Sequence, residues 1–194
     1  MDRYFKTIER EDEPPRKVDG ETELDAKPQK GFRSNVMKLA WPVRHVMPQL
    51  AYCISFLPSK LNQATVDDLR KLNLLIDEAQ ELQSKGEGKL TFRKLNLDDL
   101  VVVTSLDASF AKETGMKSQC GFISVMTTNE ILTKAALCNI VEYSSTRISR
   151  VEKSTMAAES AGLSLALDRQ LYLRLLIESI LYGEPELGPN WRHE

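Results

Sequence analysis

Between Leu100 and Tyr182 the chain sets three short strand-like segments ahead of one long helical pattern, and that order leaves few folds open. The first segment is the apolar run Leu100-Val101-Val102-Val103, which continues through Thr104-Ser105-Leu106 to Asp107, so residues 100–106 predict a buried strand. After a turn expected at Glu113-Thr114-Gly115, the run Gln119-Cys120-Gly121-Phe122-Ile123-Ser124-Val125-Met126 predicts a second strand. Residues 135–143, closing on Ile140-Val141-Glu142-Tyr143, predict a third. Connections this short suit an antiparallel meander rather than parallel crossovers. From Ser154 onward, Leu163, Ala166, Leu167, Leu171, Leu175 and Ile180 recur on a broad apolar stripe that runs to Tyr182 and stops at Gly183. That pattern predicts a long helix with Leu171 and Leu175 in the core. The expected class is α+β, a three-stranded antiparallel meander packed on one long helix and preceded by a small helical region.

Two carboxylates occupy telling places in that order. Asp107 ends the first sheet strand, and Glu159 falls one to two turns into the helix opened by Ser154-Thr155-Met156-Ala157-Ala158. A strand end and a helix start can meet at one rim of a sheet-on-helix layer, and a helix N-terminus favours negative charge. Hard divalent cations take oxygen ligands, so the pair suggests a metal site. Taken singly, each acid has a plainer explanation: aspartate is common at strand-end turns, and glutamate in the solvated first turns of helices.

The first half of the chain reads as a lead-in followed by helices. Residues 1–30 include Glu9-Arg10-Glu11-Asp12-Glu13-Pro14-Pro15-Arg16-Lys17, mixed in charge and broken by proline, and are expected to be disordered. Residues 31–88 form the helical region. Met37, Leu39, Ala40 and Trp41 make an apolar patch, and Pro42 is expected to end or kink a first helix near Trp41. Pro48 opens a second helix through Leu50, Cys53, Ile54 and Leu57, stopped before Pro58. Thr65 caps a third, with Asp68 three residues on and Leu69, Leu72, Leu75, Ile76, Ala79 and Leu82 along one face; Gly86 and Gly88 mark its exit. Leu90-Thr91-Phe92-Arg93-Lys94-Leu95 alternates roughly as a half-exposed strand would. Residues 89–183 make up the sheet-and-helix region, and 184–194 a tail.

Composition narrows the function classes. A length of 194 residues, 42% hydrophobic and 28% charged, is that of one globular domain, or of one domain with a smaller attached piece. The formal net charge of −2 lacks the basic surplus of strong nucleic-acid binders, so any such binding would rest on a local patch. The candidates for that patch are Arg147, Arg150 and Lys153 in the polar loop before the long helix, a small footprint that a merely solvated loop also explains. Cys53, Cys120 and Cys138 have no metal-ligand spacing and are expected to be reduced. No secretory signal and no run of about 20 apolar residues is apparent, so the expected compartment is cytoplasmic or nuclear, without a membrane. Glycine-rich phosphate loops and nucleophile elbows are lacking too.

The phrases Ser105-Leu106-Asp107-Ala108-Ser109-Phe110-Ala111 and Ser154-Thr155-Met156-Ala157-Ala158-Glu159 resemble the ribonuclease H region of copia-type retrotransposon polyproteins. Ser118 to Ile123, Tyr143 to Ser145 and Arg150-Val151 extend the likeness. Arg33-Ser34, Leu39-Ala40-Trp41, Pro48-Gln49-Leu50-Ala51 and Asp68-Leu69-Arg70-Lys71-Leu72-Asn73 resemble the connection between polymerase and ribonuclease H in the same polyproteins. Each motif is short; their order carries the likeness. The resemblance implies magnesium-dependent cleavage of RNA in an RNA–DNA hybrid, with Asp107 and Glu159 as catalytic and metal-binding acids and two ions sharing the carboxylates. In the family a further strand ending in aspartate and a fourth acid follow the helix. Here only Glu184 to Glu194 follows, which implies a truncated domain, inactive as it stands. The strand ending at Asp107 would then present an open edge, to be covered by residues 90–95, a second copy or the rest of a polyprotein. The rival expectation is a non-catalytic nucleic-acid-binding or assembly module that kept the fold.

Overall fold

The computed structural model describes residues 2–113 and 116–183. Contacts divide the chain into two units, Met1–Phe92 with Tyr143–Arg147, and Arg93–Glu142 with Ile148–Glu194.

The first unit is helical: α1 (Asp2–Phe5), α2 (Ala26–Val46), α3 (Ala51–Phe56) and α4 (Val66–Ser84), with 3-10 turns at Pro48–Leu50 and Leu57–Lys60 around α3. Its core joins Phe32, Val36, Leu39 and Val43 of α2 to Leu69, Leu72 and Ile76 of α4, all buried. The α4 start is the one the sequence predicts. Thr65 caps it in a reciprocal box, its hydroxyl accepting from the Asp68 amide while the Asp68 carboxylate accepts from the Thr65 amide at 3.0 Å. At the other end Gly86 adopts φ +75°, the left-handed geometry that glycine permits.

Two expectations about this unit need correction. Residues 1–30 are not a loose lead-in: Phe5 and Ile8 lie in the core, and α2 already begins at Ala26. The charged stretch has too few apolar groups to fold alone, but buried amides of α2 and α4 bind its backbone. Nor does Pro42 break the first helix, since α2 runs through it to Val46. Proline cannot donate to the carbonyl four residues back, which here belongs to Lys38. The Tyr4 hydroxyl donates to that Lys38 carbonyl instead, at 2.8 Å. Tyr143, on a separate segment of the same unit, accepts from the Met47 amide at 3.0 Å and donates to the Val43 carbonyl at 2.5 Å.

In the second unit β1 (Leu100–Glu113) and β2 (Lys117–Thr128) pair antiparallel, in continuous register from Leu100 opposite Thr128 to Ser109 opposite Gln119. The register shifts beyond Ser109, where Ala111 has φ +50° and its amide finds the Ser118 hydroxyl at 3.2 Å. With β3 (Asn139–Arg147) they form a three-stranded antiparallel open sheet in the order β1-β2-β3, as the spacing predicts. The third strand sits later than the expected 135–143, and the expected Thr114-Gly115 turn lies outside the described residues. Residues 90–95 form no strand. Instead the buried Asn139 side chain accepts from the Arg93 amide at 2.8 Å and donates to the Arg93 carbonyl at 2.7 Å. That pair of bonds substitutes for a ladder rung.

The long helix α5 (Thr155–Tyr182) packs on β1 and β2, and its buried positions are Ala158, Gly162, Ala166 and Leu173. The expected leucine stripe is a correction. Leu163, Leu167 and Leu171 are about half exposed, at 48%, 54% and 48%. The contact line runs instead through Ala158, Gly162 and Ala166, spaced by four residues, which lets the helix lie close to the strands. No helix among the described residues is long and apolar enough to cross a membrane.

Candidate functional site

The elements that carry Asp107 and Glu159 meet where α5 crosses the β1–β2 pair. Ser154 caps α5, its hydroxyl accepting from the Ala157 amide at 3.1 Å, and this places Glu159 in the second turn. Three residues on, Gly162 comes down onto the sheet. A Cβ at that position would lie 3.0 Å from the Cys120 Sγ and 3.6 Å from the Ala108 Cβ. Ala108 and Cys120 are register partners and face the helix together.

Strand alternation then decides where Asp107 goes. Its neighbour Ala108 faces α5, so the Asp107 side chain leaves the backbone on the opposite face, among the exposed Val103 and Ser105. Glu159 is half-buried and lies on the Gly162 side of the helix. Both charges reach the buried Cys120 thiol, whose pKa is raised first by burial, then by Glu159, then by Asp107. Asp107 is not at a strand end, as expected, but in the middle of β1 opposite Gly121, and the two acids start from different faces of the sheet.

That arrangement bears directly on magnesium. Two ions need several carboxylates converging on one side, and among the described residues no group of three or more histidine, cysteine, aspartate or glutamate side chains can hold a metal. The residues described do not fit such a centre.

The basic candidates are exposed. Arg147 ends β3. Arg150 has a 76% exposed side chain and donates to the buried Glu152 carboxylate at 2.8 Å, while Lys153 is exposed. Lys117 was not anticipated from the sequence; its ammonium binds the Ser149 carbonyl of the same loop at 2.7 Å. Another acid went unnoticed as well. Glu142 lies 3.8 Å from Arg169 across α5 and the sheet, and its second oxygen is buried without a hydrogen bond. The sequence signal was faint, a single charge in the otherwise apolar Ile140-Val141-Glu142-Tyr143.

No known family model, curated protein or solved structure matches this chain.

Proposed function

We propose that this chain derives from the connection and ribonuclease H regions of a copia-type retrotransposon polyprotein, and that it does not itself cleave nucleic acid. The observation that supports this most is the way a carboxylate-bearing helix crosses a carboxylate-bearing strand. The Ser154-capped α5 carries Glu159 across the β1–β2 pair that holds Asp107, with Gly162 in close contact with Ala108 and Cys120. The ancestral reaction is metal-assisted hydrolysis of RNA in an RNA–DNA hybrid, with Asp107 and Glu159 as two of the acids. Magnesium would supply the activated water and neutralise the leaving oxygen; two acids starting from different faces are too few to hold it for that purpose.

The test is to incubate the purified chain with a labelled hybrid and magnesium. The expected result is no cleavage. Magnesium-dependent cleavage that disappears in Asp107→Asn and in Glu159→Gln would overturn the inactive reading and restore the enzyme.

A second reading, a non-catalytic nucleic-acid-binding or assembly module, draws on the exposed Arg150 and Lys153 in the loop ahead of α5. Hybrid binding that survives Asp107→Asn but weakens in Arg150→Ala favours it, because phosphate contacts depend on cations and not on the acids.

A further inference from the structure

Residues Tyr4 to Glu13 lie along α2 and α4, held largely through their main chain. Phe5 is 4% exposed and Ile8 fully buried, so two apolar side chains serve as anchors. Between and beyond them the main chain is held by side chains of both helices. From α2, Lys38 donates to the Thr7 carbonyl at 2.9 Å and Asn35 to the Glu9 carbonyl at 2.8 Å. From α4, Gln80 donates to the Ile8 carbonyl at 2.9 Å. Asn73, fully buried, accepts from the Glu11 amide at 3.1 Å and donates to the Glu11 carbonyl at 2.9 Å. Such side-chain-to-backbone bonds fix the segment whatever its own side chains are.

Specificity comes from the acids. The Glu11 carboxylate accepts from Asn35 at 3.0 Å and sits over Gly31, where a Cβ would come within 2.3 Å of it. The notch left by that glycine is therefore filled by a carboxylate. Glu13 accepts from Asn73 and from Arg10, each at 2.8 Å, and Arg10 also reaches Asp77 of α4 at 2.8 Å. Asn73, Asp77 and Gln80 follow one another on one face of α4, so the groove is read along a single helix side. The segment leaves at Pro14-Pro15, which stiffens the exit.

We propose that the α2–α4 face is a receptor groove for an acidic segment that enters as a helical turn, and that a groove vacated by its own arm takes Tyr4–Glu13 from a second copy of this chain. The match is to a phenylalanine and an isoleucine three residues apart, followed by glutamates three and five residues beyond the isoleucine. In one chain the arm competes at a high effective concentration, so exchange is visible only when one arm is loosened or one groove is closed.

Two full-length variants test this. Ile8→Ala weakens the arm and leaves the groove; Asn73→Asp spoils the groove and leaves the arm. A labelled peptide spanning Tyr4–Glu13 is expected to bind Ile8→Ala about tenfold or more tightly than the unaltered chain, and Asn73→Asp not measurably. Mixing the two variants is expected to yield a species of twice the chain mass that neither forms alone. Equal peptide binding by all three proteins, or no mixed species at concentrations saturating the peptide, would overturn the proposal. So would loss of helical circular dichroism in Ile8→Ala, because the arm would then be an inseparable part of the core and not a ligand.

Discussion

Gly162 of α5 stands directly over Cys120 of β2, so close that a methyl group on the glycine would come within 3.0 Å of the sulfur. Two opposing effects follow from adding that methyl. Alanine in a helix interior is favoured over glycine by about 1 kcal/mol, while crowding the thiol costs a similar amount. Gly162→Ala is therefore expected to leave stability within about 0.5 kcal/mol of the parent. In a Cys120→Ala background the same change is expected to stabilise by about 0.5–1 kcal/mol, because the added methyl then meets only ordinary contacts, with the Cβ atoms of Ala108 at 3.6 Å and of residue 120 at 3.8 Å. Denaturant unfolding of the four proteins measures the coupling, and identical effects in both backgrounds would show that the contact does not limit helix approach.

The Cys120 thiol reports on the two acids. Burial, then Glu159, then Asp107, hold its pKa above the ordinary 9.0. Glu159→Gln is expected to lower it, and Asp107→Asn to lower it less, as followed by the ultraviolet absorbance of the thiolate. The sign for stability is set by the same shift. The folded thiol keeps its proton where the unfolded one loses it, so its contribution is complete below pH 9.0 and is lost as pH rises through the folded pKa. No change in either variant would mean that neither carboxylate reaches the sulfur.

Asn73 is a second place where one side chain carries several bonds, to the amide and carbonyl of Glu11 and to the carboxylate of Glu13. Asn73→Ala is expected to cost about 2 kcal/mol, since it leaves the part-buried amide and carbonyl of Glu11 without this partner. Amide hydrogen exchange at Glu11 should quicken in parallel. The Asn73 hydrogen bond is also the main reason that Glu13 lies below its ordinary pKa of 4.5. Its stabilising effect is thus present above pH 4.5 and fades as acid titrates the folded carboxylate. Exchange at Glu11 that is indifferent to acid would contradict this.

Burial pushes the Tyr143 phenol up to about 12 from 10.0. A raised pKa means that the folded phenol stays protonated while the unfolded one ionises. Stability is expected to decline from pH 10 and to level off near pH 12. Tyr143→Phe should remove that alkaline step while lowering stability at neutral pH by about 1 kcal/mol, through the lost bonds to Val43 and Met47. A titration curve at alkaline pH that is the same for both proteins would refute it.

Local chemistry was legible in the sequence. The Thr65–Asp68 capping box, the Ser154 cap, the exit glycines Gly86 and Gly183 and the antiparallel meander follow from neighbours within a few residues. Each is decided by bonds within one turn or by the length of one connection. What misled was long-range compensation. Pro42 stays inside α2 because the Lys38 carbonyl it leaves unmatched is taken by Tyr4, 34 residues away in sequence, and Asn139 stands in for the strand expected at 90–95. The α5 contact line was misjudged because apolar periodicity marks large residues, whereas close approach to a sheet selects small ones.

By itself the amino-acid sequence determined the start of α4 and α5, the first two strands of the meander, and which acids and cations are candidates for chemistry, because caps, periodicity and turns act between near neighbours. Only the tertiary structure decided that residues Tyr4–Glu13 are bound and not loose, and that Asp107 and Glu159 start from different faces of one sheet. Those outcomes depend on which distant groups satisfy a backbone, and on the phase of a strand relative to the helix above it, and neither is written in any short stretch of the chain.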